Sequence, residues 1–198
     1  MKSFDTAAAE IRQCLPTGLR LVILGSTSFW GSDSADICRS LGAAMAGMDS
    51  LVAVTGGMNG VQAEFSLAYA AVCGGQQSAE RLFHLLPLGM EAVKAGRTVT
   101  AGADFFERRE ILGRVGDVCL VIEGGPGTEH ESRVAMSCGI PVIPVGRTGG
   151  HARKLYSGLP CPAAVSTATW ALLNDRGATH DEVTVAVQNL VEQLSQRA

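Results

Sequence analysis

Arg108 and Arg109 in FFERRE, and Glu131 in EGGPGTEHE, are side chains whose chemistry could act together. A carboxylate can move a proton or stabilise positive charge that develops in a reaction. A guanidinium grips phosphate or carboxylate oxygens through a fork of donors and keeps a neighbouring carboxylate ionised. The same spacing also suits a surface arginine and a helix-starting glutamate favoured by the helix dipole. Spacing alone leaves both readings open.

Three glycine-containing loops could present backbone amides to an anion. GSTSFWGSD carries Gly25, Ser26 and Thr27 after the run LRLVIL, TGGMNG carries Gly56 and Gly57 after LVAV, and EGGPGT carries Gly124, Gly125, Gly127 and Thr128 after DVCLVI. Each joins an apolar run to a helical pattern, where free N–H groups and the helix dipole favour a phosphate or carboxylate. EGGPGT is the strongest of the three, with Thr128 expected to serve as both cap and hydroxyl donor. It is neither a Walker A loop, since no Lys follows as GK[ST] requires, nor a GxGxxG fingerprint.

Other chemistries find little support. His84 lies inside an apolar run and reads as a hydrogen-bonded core residue, His151 and His180 open helices, and Glu129 and His130 read as exposed polar neighbours of Glu131. With no HxxxH or HExxH arrangement, no metal site is expected, and the six cysteines contain no CxxC pair. No GxSxG motif occurs, and none of Lys2, Lys94 and Lys154 stands at an apolar strand end suited to a Schiff base. No cofactor is expected.

The elements that must position these residues follow from periodicity. Apolar runs at 19–24, 51–54, 81–86, 117–122 and 141–145 alternate with helical patterns at 33–48, 61–73, 104–115 and 129–138 and another starting near His151. Strands that are apolar throughout imply a parallel sheet covered on both faces, hence a doubly wound α/β domain whose strands are parallel, adjacent and joined by right-handed crossovers. The tail reads as a short strand at Ala163–Val165, a short helix at Ala168–Leu173 and an amphipathic helix at Asp181–Leu194. One domain over 1–198 is expected, with its core at 19–160 and a helical tail at 167–198. Ligands in such folds bind beyond the carboxyl ends of the strands.

Composition bounds the partners. With 16 Lys plus Arg against 19 Asp plus Glu, the net charge is -3, which disfavours a nucleic-acid polymer. The apolar runs fall well short of the roughly 18 residues of a membrane span, and the first residues lack the apolar core of a signal peptide. A cytoplasmic protein is expected.

Four motifs in order resemble a family. EGGPGTEHE is similar to the PGGxGTxxE signature of the "lonely guy" cytokinin-activating phosphoribohydrolases, formerly mislabelled lysine decarboxylases, and FFERRE is similar to their upstream arginine motif. GSTSFWGSD resembles the family's first loop and TGGMNGV its GGGxxGLM turn, so the resemblance runs from about residue 20 to 146. It implies a Rossmann-like domain, a homodimer, and hydrolysis of a purine or cytokinin-type nucleoside 5'-monophosphate to free base and ribose 5-phosphate. Arg108 and Glu131 resemble the catalytic pair, and Gly124, Gly125, Gly127 and Thr128 the phosphate loop, with Gly25, Ser26, Thr27, Gly56, Gly57 and Arg109 around the nucleotide. Glu123 stands where the motif has Pro, which places a negative charge beside the phosphate loop, and Phe106 stands where many members carry His. PVIPVGRTGGHARKLY resembles a broader group of nucleotide-binding domains that includes molybdenum-cofactor carriers and nucleotide sensors. The alternative is therefore a protein that holds a nucleotide, a signalling derivative of one, or a pterin cofactor without cleaving it.

Overall fold

The computed structural model describes residues 3–92 and 95–195; Lys2, Lys94 and the two ends of the expected 1–198 domain lie outside the described residues. The chain forms α1 (Phe4–Cys14), β1 (Leu19–Gly25), α2 (Ser34–Ala46), β2 (Leu51–Thr55), α3 (Val61–Cys73), α4 (Gly75–Arg81), β3 (Leu82–Leu86) and β4 (Arg97–Thr100). Then follow α5 (Phe105–Val115), β5 (Val118–Ile122), α6 (Pro126–Ser137), β6 (Val142–Val145), a 3-10 turn (Gly146–Thr148), α7 (Gly150–Gly158), α8 (Thr167–Leu172) and α9 (His180–Ser195).

Six parallel strands lie in the order β4-β3-β2-β1-β5-β6. Alternate residues of a strand face opposite sides, and here both sides are dry. Leu21, Ile23, Leu51, Ala53, Leu82 and Leu120 pack with Ile37, Leu41, Phe65, Tyr69, Val187 and Leu190 from α2, α3 and α9. Val22, Leu24, Val52, Val54, Phe83 and Val121 pack on the other face with Ile11, Ile111, Leu112, Val115 and Leu155 from α1, α5 and α7. Burial on two faces is why the central strands read as unbroken apolar runs. The architecture is a single Rossmann-like α/β domain.

The topology decides where a ligand fits. The chain steps outward from β1 to β4 and then returns to lay β5 on the free side of β1, not beside β3 or β4 as adjacency in chain order would have it. Loops leaving β1 and β5 run to opposite sides of the sheet and open a crevice at this switch point. Gly25 pairs with Ile122 at the strand ends, which sets the two loops level.

Several elements depart from the periodicity reading. No strand forms at Ala163–Val165, because the Val165 N–H donates locally to the Pro162 carbonyl at 2.9 Å and is lost to any ladder. Helix α6 begins at Pro126, three residues earlier than expected, so Glu131 lies in its second turn and not its first. The sequence reading overlooked α1, which is rich in alanine and buries only Ala8 and Ile11, as well as α4 and β4. Strand β4 (RTVT) is an exposed edge with a weak apolar pattern.

His84 is a core histidine, as expected. On β3 it is fully buried, its Nε2 2.5 Å from the Ala95 carbonyl and its Nδ1 2.8 Å from Thr55 Oγ1, which also accepts the Gly57 N–H at 2.9 Å. A carbonyl only accepts, so Nε2 carries the proton and Nδ1 accepts from the threonine hydroxyl. Burial pushes the imidazole pKa down from its usual 6.5. The folded state thus favours the neutral ring, while the unfolded chain takes up a proton. The contribution is complete above about pH 6.5 and is lost as pH falls below it, at no more than about 1.4 kcal/mol per pH unit. In urea unfolding at pH 7.5 and 5.5, wild type is expected to lose more stability than His84→Leu, and equal losses would remove His84 as the cause.

Candidate functional site

A cavity of about 300 Å3 occupies the crevice above β1 and β5. The loop after β1 contributes Gly25, Ser26, Thr27, Ser28 and Trp30, the start of α6 contributes Gly125, Pro126, Gly127, Thr128 and Glu131, and α5 contributes Arg108 and Arg109. Met58 and Gln62 close one side. Gly25 is required at the junction, since a Cβ there would stand 2.5 Å from Val61 Cγ1 and 2.6 Å from the Ile122 carbonyl oxygen.

The first turn of α6 is left open. Gly125 is the N-cap, Pro126 follows, and no side chain caps the turn; the first helical bond runs from Glu129 N–H to Gly125 O at 2.9 Å. Pro126 has no N–H, so Gly127 and Thr128 carry amides without a helical acceptor. Thr128 is the third helical residue and packs against Gly124, so the cap expected of it falls to Gly125. The Arg109 guanidinium lies over Gly127, its Nε 3.3 Å from where a Cβ would be. Two open amides, a helix dipole and a guanidinium form an anion-accepting rim.

Beneath that rim Arg108 and Glu131 form a buried ion pair, Nη1 donating to Oε1. Each residue is at least nine-tenths buried. Asp104 caps α5 by accepting the Glu107 N–H at 2.9 Å, and Arg108 one residue on is held between the Phe105 ring, 5.6 Å from its guanidinium carbon, and Gly56. Burial pushes the Glu131 carboxyl up from its usual range, opposed chiefly by the Arg108 charge, and pushes the Arg108 guanidinium down, opposed chiefly by Glu131. Oε1 of Glu131 takes the Arg108 bond, and among the described residues Arg108 Nε is buried without a hydrogen-bond partner.

Glu123 does not face the open first turn of α6. Fully buried, it turns into the loop after β1 and accepts from Ser26 Oγ at 2.5 Å, Gly31 N–H at 2.8 Å and Trp30 N–H at 3.1 Å. Its backbone sits at φ +53, in the left-handed region closed to proline, whose ring fixes φ near -65. The motif's Pro does not fit this backbone, and the glutamate instead stitches the two loops of the crevice together. Glu123→Ala leaves three donors without their acceptor, and a loss of about 3 kcal/mol is expected in urea unfolding. A loss below about 1 kcal/mol would show that water replaces the carboxylate readily.

Of the residues singled out from sequence, Gly25, Ser26, Thr27, Arg108, Arg109, Gly125, Gly127, Thr128 and Glu131 meet at this cavity. Gly56, Gly57 and Gly124 do not line it. Gly56 lies behind Arg108, where a Cβ would stand 2.6 Å from Nη1; Gly57, at φ +65, backs onto His84 and Leu86; and Gly124 supports Thr128. Sequence reasoning missed Ser28, Trp30, Met58, Gln62 and Pro126. Trp30 had a readable signal, a large aromatic in a small-residue loop, whereas Gln62 enters because its Oε1 accepts the Met58 N–H at 3.0 Å. The other expected polar residues make local contacts: Glu129 pairs with Arg133, His130 with Glu110 at 2.5 Å, and His151 Nε2 meets Ser132 Oγ at 2.9 Å. His180 Nε2 lies 3.8 Å from Asp33, the N-cap residue of α2, whose side chain pairs with Arg147 and makes no capping hydrogen bond. Among the described residues no group of three or more His, Cys, Asp or Glu could hold a metal ion, and no helix is long and apolar enough to cross a membrane.

No curated protein matches the sequence. Among solved structures, the X-ray structure of TM1055 is similar at 23% identity and TM-score 0.64, over 86% of this chain and 99% of that one. The molybdenum cofactor binding protein of the phototrophic bacterium Rippkaea orientalis is similar at 17% identity and TM-score 0.61, over 88% and 98%. The molybdenum cofactor carrier protein of Chlamydomonas reinhardtii is similar at 19% identity and TM-score 0.58, over 89% and 99%. At these identities the likeness is one of fold. The SLOG cluster4 family model matches residues 19–164, a span that includes every strand and all three glycine loops, and the chain belongs to that family.

Proposed function

We propose that the crevice binds a nucleoside 5'-monophosphate and hydrolyses its N-glycosidic bond, releasing the free base and ribose 5-phosphate. The observation that carries this reading is the buried Arg108–Glu131 pair on the floor of a cavity whose rim holds the Gly127 and Thr128 amides and Arg109. Phosphate on the rim brings the ribose over Glu131. As the C1'–N bond breaks, its electrons move to the base and positive charge spreads over C1' and the ring oxygen. The Glu131 carboxylate stabilises that charge and orients the water whose hydroxyl adds to C1' and whose proton goes to the base. Arg108 holds the carboxylate in place and favours its ionised form. The test is incubation with AMP, GMP, CMP, UMP and a cytokinin-type monophosphate, followed by chromatography for free base.

A second reading has its own support. Glu131 is only 3% exposed and tied to Arg108, an arrangement that suits holding a ligand as well as turning it over. Two of the similar structures are molybdenum cofactor binding or carrier proteins. Nucleotide binding without release of any base would favour a carrier or sensor. In either case the ligand is a small molecule in the cytoplasm.

The active unit we propose is a homodimer. Leu67 and Val72 on α3 are 48% and 55% exposed, and Phe106 on α5 is 53% exposed, leaving apolar surface that the sheet does not cover. Light scattering at micromolar concentration should give about twice the 20.6 kDa chain mass, and a clean monomer overturns the assignment.

A further inference from the structure

The crevice continues past Trp30 into a second cavity of about 530 Å3, lined by Asp33, Arg147, Thr148, Gly150 and Arg176. Trp30 lines both cavities and is 58% exposed. The benzo edge of its indole rests on backbone: Cη2 is 3.6 Å from where a Cβ of Gly125 would be, and Cζ3 is 2.6 Å from that of Gly150. Only glycine at 150 lets the ring lie this close. The indole therefore stands between the two cavities with ring surface left open to solvent.

The two cavities share an electrostatic plan. In the first, Arg108 is neutralised by Glu131 while Arg109 has no carboxylate partner among the described residues. In the second, Arg147 Nη2 lies 2.9 Å from Asp33 Oδ2 and its Nη1 donates to the Ala178 carbonyl at 2.5 Å. Arg176 there likewise has no carboxylate partner among the described residues. Counting only the side chains that line them, each cavity thus keeps one spare positive charge, and an open aromatic ring stands between them. An aromatic platform between two cationic pockets matches a nucleotide whose ribose carries two phosphates and whose base stacks on the ring.

We propose that this site takes a nucleotide phosphorylated at both its 5' and 3' positions. The 5'-phosphate sits on Gly127, Thr128 and Arg109, the base stacks on Trp30, and the 3'-phosphate meets Arg176 in the second cavity. Arg147, pinned by Asp33 and Ala178, shapes that cavity. This rests on the first cavity being a phosphate site, and it names Trp30 and Arg176 as specificity-determining residues.

Intrinsic fluorescence provides the readout. The chain has two tryptophans, and the other, Trp170, is only 6% exposed and stacked on Tyr156, so quenching by ligand reports Trp30. AMP, adenosine 3',5'-bisphosphate and the 5'-phosphorylated dinucleotide pApA are titrated at one ionic strength. Wild type should prefer the bisphosphate to AMP by about tenfold or more, and Arg176→Glu should bring that ratio close to unity. Trp30→Ala should weaken all three by about tenfold, with Trp30→Phe recovering most of the loss. pApA binding more tightly than the bisphosphate identifies an oligonucleotide end as the source of the 3'-phosphate, and weaker binding identifies a mononucleotide; both support the proposal. AMP binding with no preference for the bisphosphate, or a preference that survives Arg176→Glu, overturns it and leaves the monophosphate reading standing. If neither ligand binds a protein that is folded by circular dichroism, both fall.

Discussion

Replacing Glu131 by glutamine is expected to slow base release by about 100-fold or more, with nucleotide affinity changed less than about threefold. Glutamine keeps the shape of the side chain, and its Oε1 can still accept from Arg108, so the floor of the cavity stays in place. What disappears is the negative charge proposed to meet the developing oxocarbenium. The loss should fall on kcat and leave KM little changed, because the charge matters only as the bond breaks. Burial raises the Glu131 pKa, and in the proposed reaction the ionised form is the active one. Wild-type kcat should therefore fall on the acid side at a pH above the ordinary 4.5 of a glutamate, and that limb should be missing from Glu131→Gln. Turnover of the variant at the wild-type rate would reduce Glu131 to an anchor for Arg108.

The other large effect is on folding. Arg108→Ala leaves the Glu131 carboxyl buried without its cation, and breaking a buried pair from one side destabilises by about 3–5 kcal/mol. The penalty should depend on pH with a definite sign. Without Arg108 the folded-state pKa of Glu131 rises further above its unfolded value, so the folded form binds the extra proton. Stability is then fullest below about pH 4.5 and is lost as pH rises through the folded value. Urea unfolding should show a larger deficit for Arg108→Ala at pH 8 than at pH 5. The double variant Arg108→Ala/Glu131→Gln should be more stable than additivity predicts, because the orphaned charge is gone. Equal deficits at both pH values would mean that water reaches the carboxylate.

The parts of the site legible in sequence are those whose cause is local. A glycine loop between an apolar run and a helix start announces open amides, and EGGPGT folds into such a loop even though its helix starts three residues early. The early start comes from Pro126, which is preorganised for the first helical position. Glu123 was legible as a departure from the motif but not in its consequence. Its charge seemed set against an anion only because its direction was unknown; φ +53 turns the side chain toward Trp30 and Gly31, and the first loop absorbs the charge. Gly56, Gly57 and Gly124 carry the same local signal as Gly125 and Gly127 yet serve packing, which becomes visible only once Arg108, His84 and Thr128 are in place against them.

By itself, the sequence determined the alternation of strand and helix and the burial of both sheet faces, which follow from residue type and from spacing along the chain. Spacing left the Arg108–Glu131 pair open, and the resemblance of FFERRE and EGGPGTEHE to a family's motifs singled it out. The tertiary structure alone decided that β5 returns to β1, which brings the loops after the first and fifth strands over one cavity, and that Trp30 divides that cavity from a second holding Asp33, Arg147 and Arg176. Asp33 and Arg147 are 114 residues apart in the chain and 2.9 Å apart in space, and no periodicity over so long a separation encodes such a contact. Strand order is a property of the whole sheet, set by which pairing buries the most apolar surface on both faces, and the composition of the crevice follows from it.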